Sequence, residues 1–160
     1  MEQARLAAAE DLPALSRLWD SALASLDGQR GGSLLADTIV GTGNPADLLR
    51  RSLVDADQVV LLGLLDTVAV GFASARCDLS GHRRLGVVDA IFVEPPARQV
   101  GVGEVLLVRV VEWCAERGCE GVDAPALPGS RDTKAFFEDM GFVTRLLVMH
   151  HRLAGVPGRV

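Results

Sequence analysis

The stretch Val93–Trp113, VEPPARQVGVGEVLLVRVVEW, decides how this chain folds. It opens on the end of an apolar run, LGVVDAIFV, that reads as a strand. Pro95 and Pro96 stop that strand, because neither can donate to a ladder. Gly101 and Gly103 then lead into GEVLLVRVVEWCAERG. Its length, the placement of Arg109, Glu112, Glu116 and Arg117, and the closing Gly118 predict a helix. Five valines between Val102 and Val111 favour a strand locally, and the helical features outweigh them. Glycines at a helix start let the backbone approach a ligand closely. The free N–H groups of the first turn add partial positive charge. Such an end suits phosphate oxygens, and Arg98 can add a charge-assisted contact.

The commoner phosphate fingerprints fail here. A dinucleotide motif needs Gly-x-Gly-x-x-Gly directly after a strand. Leu106 stands at the third glycine, and seven residues separate Val93 from Gly101. A Walker A loop would need Lys-Ser/Thr, which does not follow. Asp123 does lie at the distance of a ribose-binding acid, so a nucleotide-binding α/β protein is one alternative reading. Another is a tight loop whose glycines only permit a turn.

Outward from this stretch the chain alternates strands and helices. ARLAA reads as a first strand, and AEDLPALSRLWDSALASL as a helix with Pro13 in its first turn. Asp27 to Pro45, with five glycines, reads as a mobile loop carrying at most one helical turn in SLLADTIV. PADLLRRSLVD is a second helix, opened by Asn44. QVVLLGLL and VAVGFASAR are paired strands turning at Asp66-Thr67, and a polar turn, CDLSGHRR, leads to the strand ending at Val93. Beyond the long helix come a short strand CEGVDAPA, a helix GSRDTKAFFEDMG and a final strand FVTRLLVMHHRL. The sum is a mixed α/β sheet flanked by helices, one domain over residues 1–153 with a loose tail at 154–160.

Composition bounds the partners. The 160 residues carry a net charge of -5 and are 49% hydrophobic. An acidic chain argues against nucleic acid and is compatible with a cationic or amine substrate. Val59–Ala75 is long and apolar, but Asp66 and the glycines at 63 and 71 make it a strand pair, so no membrane span is expected. No signal peptide is expected at the N-terminus. Cys77, Cys114 and Cys119 lack framework spacing and partner histidines, which points to buried thiols in a reducing, cytoplasmic setting and to no metal.

Val93–Gly103, VEPPARQVGVG, resembles the signature of the GNAT family of N-acetyltransferases: a strand ending in Val-x-Pro, then Arg/Gln-x-x-Gly-x-Gly/Ala, then a long helix. KAFFEDMGF resembles that family's second landmark, and the opening AAAEDLPALSRLW its first strand and helix. The resemblance implies a mostly antiparallel sheet with splayed central strands. It implies acetyl-CoA as co-substrate, its diphosphate held by Arg98, Gln99, Val100, Gly101, Val102 and Gly103. The main chain of Ile91, Phe92 and Val93 would pair with the pantetheine arm. Ser130, where the family often has an Asn that reaches the pantetheine amide, and Phe137, where many members have a general-acid tyrosine and which would pack against the coenzyme, complete the implied cofactor-binding set.

The resemblance further implies direct transfer of an acyl group to the amine of a small molecule or of a protein. Deprotonating that amine needs a base. Asp89, four residues ahead of Val93, is the candidate, and strand alternation places it with Val87, Ile91 and Val93. The chain contains no tyrosine. A non-catalytic acyl-CoA-binding module is therefore the alternative, and Cys119, Ser130, His82, His150 and His151 are substitutes for the missing acid. Asp20, Asp27 and Asp37 could attract a cation on the acceptor side. The family usually closes with a two-strand hairpin, whereas one strand remains here, so completion by a neighbouring chain in a homodimer is expected.

Overall fold

Five strands form one sheet in the order β1-β2-β3-β4-β5. They are β1 (Glu2–Leu6), β2 (Gln58–Leu65), β3 (Val68–Ser80), β4 (Arg83–Val93) and β5 (Val122–Asp123). The computed structural model describes residues 1–40, 44–151 and 153–155. The first four strands are antiparallel, and β5 runs parallel to β4. A doubly wound parallel sheet is thereby excluded. The nucleotide-binding alternative built on Asp123 falls with it, since that carboxylate is already forked onto Arg145.

Helices cover both faces. On one side α4 (Val102–Glu116) and α5 (Arg131–Asp139) close a core of Val59, Leu61, Ala73, Val88, Leu106, Val110 and Phe137. On the other, α1 (Leu12–Ser25), α2 (Gly32–Val40) and α3 (Pro45–Ser52) contribute to a core of Leu15, Leu18, Trp19, Leu49, Leu62, Phe72 and Phe92. Alternation along β2 and β3 sorts these residues to the two faces. The run VVLLGLL is apolar throughout because both its faces are covered.

Close packing of α4 on the sheet needs a missing side chain. A Cβ at Gly86 would lie 2.4 Å from the Cys114 sulfur and 3.1 Å from its Cβ. Gly86→Ala should therefore destabilise the fold by about 1–3 kcal/mol through overpacking. Cys114→Ala in the same chain should recover part of that loss, and denaturant titration of the two variants checks both.

The N-terminus of α1 is held by Asp11, which is 8% exposed. Its carboxylate accepts from Arg5 Nη1 at 2.6 Å and Nη2 at 2.8 Å, and from the Ala8 amide at 2.8 Å. The Arg5 hydrogen bonds hold its pKa below the ordinary carboxylate value. A depressed folded pKa contributes stability that is present above the unfolded value and lost as pH falls through the folded one. Asp11→Asn should thus cost about 1–2 kcal/mol at pH 7, given a half-exposed arginine, and the gap to the parent should close in acid.

Several elements differ from the sequence-based expectation. The glycine-rich stretch holds a nine-residue helix, α2, rather than a single turn. Half-buried Leu35, Ala36 and Ile39 face inward, with Ile39 on the α1-side core. The flanking glycines concealed it, and residues 41–43 of that stretch lie outside the described residues. The polar segment CDLSGHRR is mostly strand, and only Gly81 and His82 turn. It pairs as an exposed hairpin tip, Ser80 against Arg83, where polar side chains are at no disadvantage. The final strand expected over FVTRLLVMHHRL does not form within the chain: no residue from Val143 to His151 belongs to a strand. Of the tail at 154–160, only Ala154 and Gly155 fall within the described residues.

Candidate functional site

The loop between β4 and α4 leaves its amides unused. Residues Pro95–Ala97 make one 3-10 turn, with the Ala97 amide bonded to Glu94 and the Arg98 amide to Pro95. Gln99 and Gly101 then adopt left-handed φ values of 64° and 90°. The first helical bond runs from the Val105 amide to the Gly101 carbonyl at 3.1 Å. Among the described residues, no amide from Gln99 to Glu104 donates to a protein acceptor. Six consecutive N–H groups are thus free at the positive end of a fifteen-residue helix. An anionic diphosphate fits this nest chemically.

The side chains of the loop play lesser parts. Val102 is 1% exposed in the α4-side core, so only its amide faces outward. Gly103 leaves room beside Phe136, whose ring would touch an added Cβ at 3.4 Å. Arg98 Nε donates to the Val93 carbonyl at 2.9 Å, and its guanidinium lies 5.9 Å over the Phe92 ring. That carbonyl was expected to pair with pantetheine and is already occupied.

β4 and β5 pair at two positions, Gly86 with Val122 and Val87 with Asp123. Past Val87 the β4 edge that faces β5 has no ladder partner, so a V-shaped opening runs along Val88–Val93. Ile91 and Phe92 lie on this edge, paired on their other side with Ala73 and Phe72. The opening leads from the amide nest to the point where the two strands meet.

Asp89 sits near that apex. Ser74 pairs with Ala90 and Ala75 with Val88, which leaves Asp89 as the extra residue of a β-bulge. The bulge reverses side-chain parity. Val88, Ile91 and Val93 all pack on the α4 side, whereas the Asp89 carboxylate pairs with Arg76 on the opposite face. Simple alternation placed Asp89 with Ile91 and Val93, and the bulge corrects that. Arg76 also contacts Asp78 at 3.0 Å, so Asp89 belongs to a short charged chain. Ser74 shares this face by alternation, is 7% exposed, and has no partner for its hydroxyl among the described residues. Sequence reasoning missed Arg76 and Ser74, because only the register of β3 against β4 brings them to Asp89.

Ser130 begins α5 and donates its hydroxyl hydrogen to Thr133 Oγ1 at 2.7 Å. With Pro128 and Gly129 it faces Gln29 and Arg30 across a surface cleft of about 410 Å³. Phe137 is buried between Phe136 and Phe142, with ring centroids 5.3 Å from each. It serves the core, and its neighbour Phe136 is the aromatic residue beside the loop, since α5 turns its apolar face inward at 137. His82, His150 and His151 are exposed and lie outside this cluster. Cys119 lies 3.4 Å from the Cys77 sulfur, and burial pushes the Cys114 thiol up to about 12. Asp20, Asp27 and Asp37 are exposed and without ion pairs among the described residues. No group of three metal-ligating side chains occurs among the described residues.

The chain as a whole is similar to known acetyltransferases. The profile of the acetyltransferase (GNAT) family matches residues 33–142. The chain is 28% identical over 111 residues to aminoglycoside N(6')-acetyltransferase type 1 of Salmonella typhimurium (strain LT2), covering 64% of this chain and 74% of that protein. The like-named protein of Stenotrophomonas maltophilia is 28% identical over 120 residues, covering 71% and 78%. Among solved structures, AAC(6')-Iy bound to the bisubstrate analogue CoA-S-monomethyl-acetylneamine superposes with a TM-score of 0.73. It covers 96% of this chain and 98% of that one at 22% identity, a likeness of fold.

Proposed function

This chain belongs to the acetyltransferase (GNAT) family, and from that premise we propose that it acetylates a small polycationic amine of the aminoglycoside kind. It is an acyl-CoA-dependent N-acetyltransferase, with acetyl-CoA as co-substrate and a small-molecule amine as acceptor. The free amides of Gln99–Glu104 carry the reading, since they fit the diphosphate and open onto the unpaired edge of β4.

Acetyl-CoA supplies an activated acyl group, and the chain supplies placement and a proton acceptor. The amides of residues 99–104 hold the diphosphate. Ile91 and Phe92 offer main-chain groups to the amide-bearing arm, and Ser130 offers a hydroxyl from α5. Asp89, oriented by Arg76, takes a proton from the acceptor ammonium directly or through one water. Water can protonate the departing thiolate, whose thiol pKa near ~8.5 makes a dedicated acid dispensable. Ser74 offers a further hydrogen bond on the same face. The exposed carboxylates of Asp20, Asp27 and Asp37, with the net charge of -5, favour approach of a cation. Among the described residues no helix is long and apolar enough to cross a membrane, and we place the enzyme in the cytoplasm.

A thiol-release assay with acetyl-CoA tests the acceptor class. Turnover with aminoglycosides, and little with monoamines or amino-terminal peptides, is the expected result. Turnover with peptides alone would move the acceptor to protein amino groups. Acetyl-CoA binding without turnover on any amine would favour the non-catalytic module, the reading that the absent tyrosine supports.

A further inference from the structure

The chain's three cysteines meet on the α4 side of the sheet. They come from separate elements: Cys77 from β3, Cys114 from α4, and Cys119 from the segment between α4 and β5. Gly86 of β4 makes the room. It stands opposite Cys77, and its missing side chain leaves the space that the Cys114 sulfur fills. Cys77 and Cys119 are 42 residues apart in sequence, yet their sulfurs lie 3.4 Å from one another. The backbone fixes both ends. The Cys77 amide donates to the Asp57 carbonyl at 2.8 Å, and the Cys119 amide to the Cys114 carbonyl at 3.1 Å.

Access separates this pair from the third thiol. Cys77 and Cys119 are half-buried, whereas Cys114 is 1% exposed. Cys119 also lines an open groove of about 370 Å³, with Val111, Val122 and Phe142. Burial raises the pKa of Cys119, and the Arg84 guanidinium opposes that rise. Arg84 has its own pKa raised chiefly by a hydrogen bond to Cys77, so one cation serves both sulfurs. A cation beside a thiol favours the thiolate, which is the attacking form.

We propose that Cys77 and Cys119 close a reversible disulfide when the protein meets a peroxide, and that closure slows acetyl transfer. Hydrogen peroxide enters by the groove, and the Cys119 sulfur attacks one of its oxygens. The O–O bond breaks, Cys119 becomes a sulfenic acid, and the departing hydroxide takes up the thiol proton as water. The Cys77 sulfur then displaces the sulfenic oxygen, which leaves with the Cys77 proton as a second water. Two thiols lose two hydrogens in all, and one peroxide becomes two waters. In a reducing setting the pair rests as thiols, and small thiols reverse the bridge.

The bridge would pass over β4, from β3 to the lead-in of β5. Disulfide sulfurs stand about 2.05 Å apart, so closure draws these together by more than ~1 Å. β3 and β4 are strands of thirteen and eleven residues and β5 has two, so the β5 side yields. β5 is one wall of the opening that ends near Asp89, and a shift of this size misplaces the acceptor against the thioester. The link to transfer rests on the proposed acetyltransferase activity, whereas the bond itself does not.

Mass spectrometry of the full chain after treatment with excess hydrogen peroxide reads the bond directly. The parent should lose two hydrogens, peptide mapping should join Cys77 to Cys119, and dithiothreitol should reverse both changes. Cys77→Ser should form no bridge, and Cys114→Ala should still form the bridge between Cys77 and Cys119. With the peroxide removed, chromatographic assay of the acetylated amine reads the consequence. In the bridged parent kcat/KM for the acceptor should fall about tenfold or more, and dithiothreitol should restore it. Treated Cys77→Ser should keep the rate of the reduced parent. Higher sulfur acids without a bridge, a bridge through Cys114, or a bridged enzyme with unchanged kcat/KM would overturn the proposal. A bridge in a chain that acetylates no amine in either state would instead overturn the acetyltransferase reading and the link to transfer, with the bridge itself upheld.

Discussion

Gly101→Val should weaken acetyl-CoA binding by about 100-fold or more while leaving the fold intact. The φ of 90° at this position is one that a β-branched residue reaches only with strain of about 1–3 kcal/mol. The loop sheds that strain by rotating the peptide planes on either side, which turns the amides of Gly101 and Val102 away from their common focus. Hydrogen bonds to charged groups are worth about 1.5–3 kcal/mol each, so two misdirected donors suffice for the stated loss. The new side chain would also meet the Glu2 side chain, whose Cγ lies 3.4 Å from an added Cβ. Gln99→Gly is the control. Its φ of 64° is already left-handed, so glycine should relieve the backbone and keep affinity within a few-fold of the parent. Calorimetric titration of both variants with acetyl-CoA checks the pair. Unchanged affinity in Gly101→Val would remove the diphosphate from this loop.

The second large effect concerns Asp89. Asp89→Asn should lower kcat by about 10²–10⁴-fold, the range for a lost general base, with the dissociation constant for acetyl-CoA unchanged. Asparagine keeps the shape at the bulge and can still accept from Arg76, but it takes no proton. Arg76→Gln should have a smaller effect on kcat, since it loosens the carboxylate without deleting it. Steady-state rates across pH separate these cases. An Asp89→Asn enzyme with parental kcat would place proton removal elsewhere, with a water held by Ser74 as the next candidate.

The parts of this site carried by local chemistry were legible in the sequence. Pro95 and Pro96 end a strand wherever they stand, and a Gly-x-Gly before a long apolar helix describes a nest without reference to the rest of the fold. The strand–helix order of the central region followed for the same reason, since periodicity and turn residues are local. What failed was set at long range. The parity of Asp89 depends on one extra residue relative to β3, which no pattern within β4 reveals. Phe136 and Phe137 are chemically identical neighbours, and only the rotation of α5 on the sheet decides which of them reaches the loop. The helix at Gly32–Val40 was hidden by glycines around it, although its own eight-residue interior is apolar enough to pack. The segment after Phe142 reads as a strand because its residues are those of one, yet among the described residues no backbone group from Val143 to His151 pairs with β5 or any other strand.

A crystal structure of the protein with coenzyme A bears most directly on the whole account. The account predicts the diphosphate within hydrogen-bonding distance, about 2.7–3.2 Å, of several amides between Gln99 and Glu104, with the thiol-bearing arm running along Ile91 toward Asp89. A diphosphate bound away from these amides, with the arm outside the opening between β4 and β5, would contradict it.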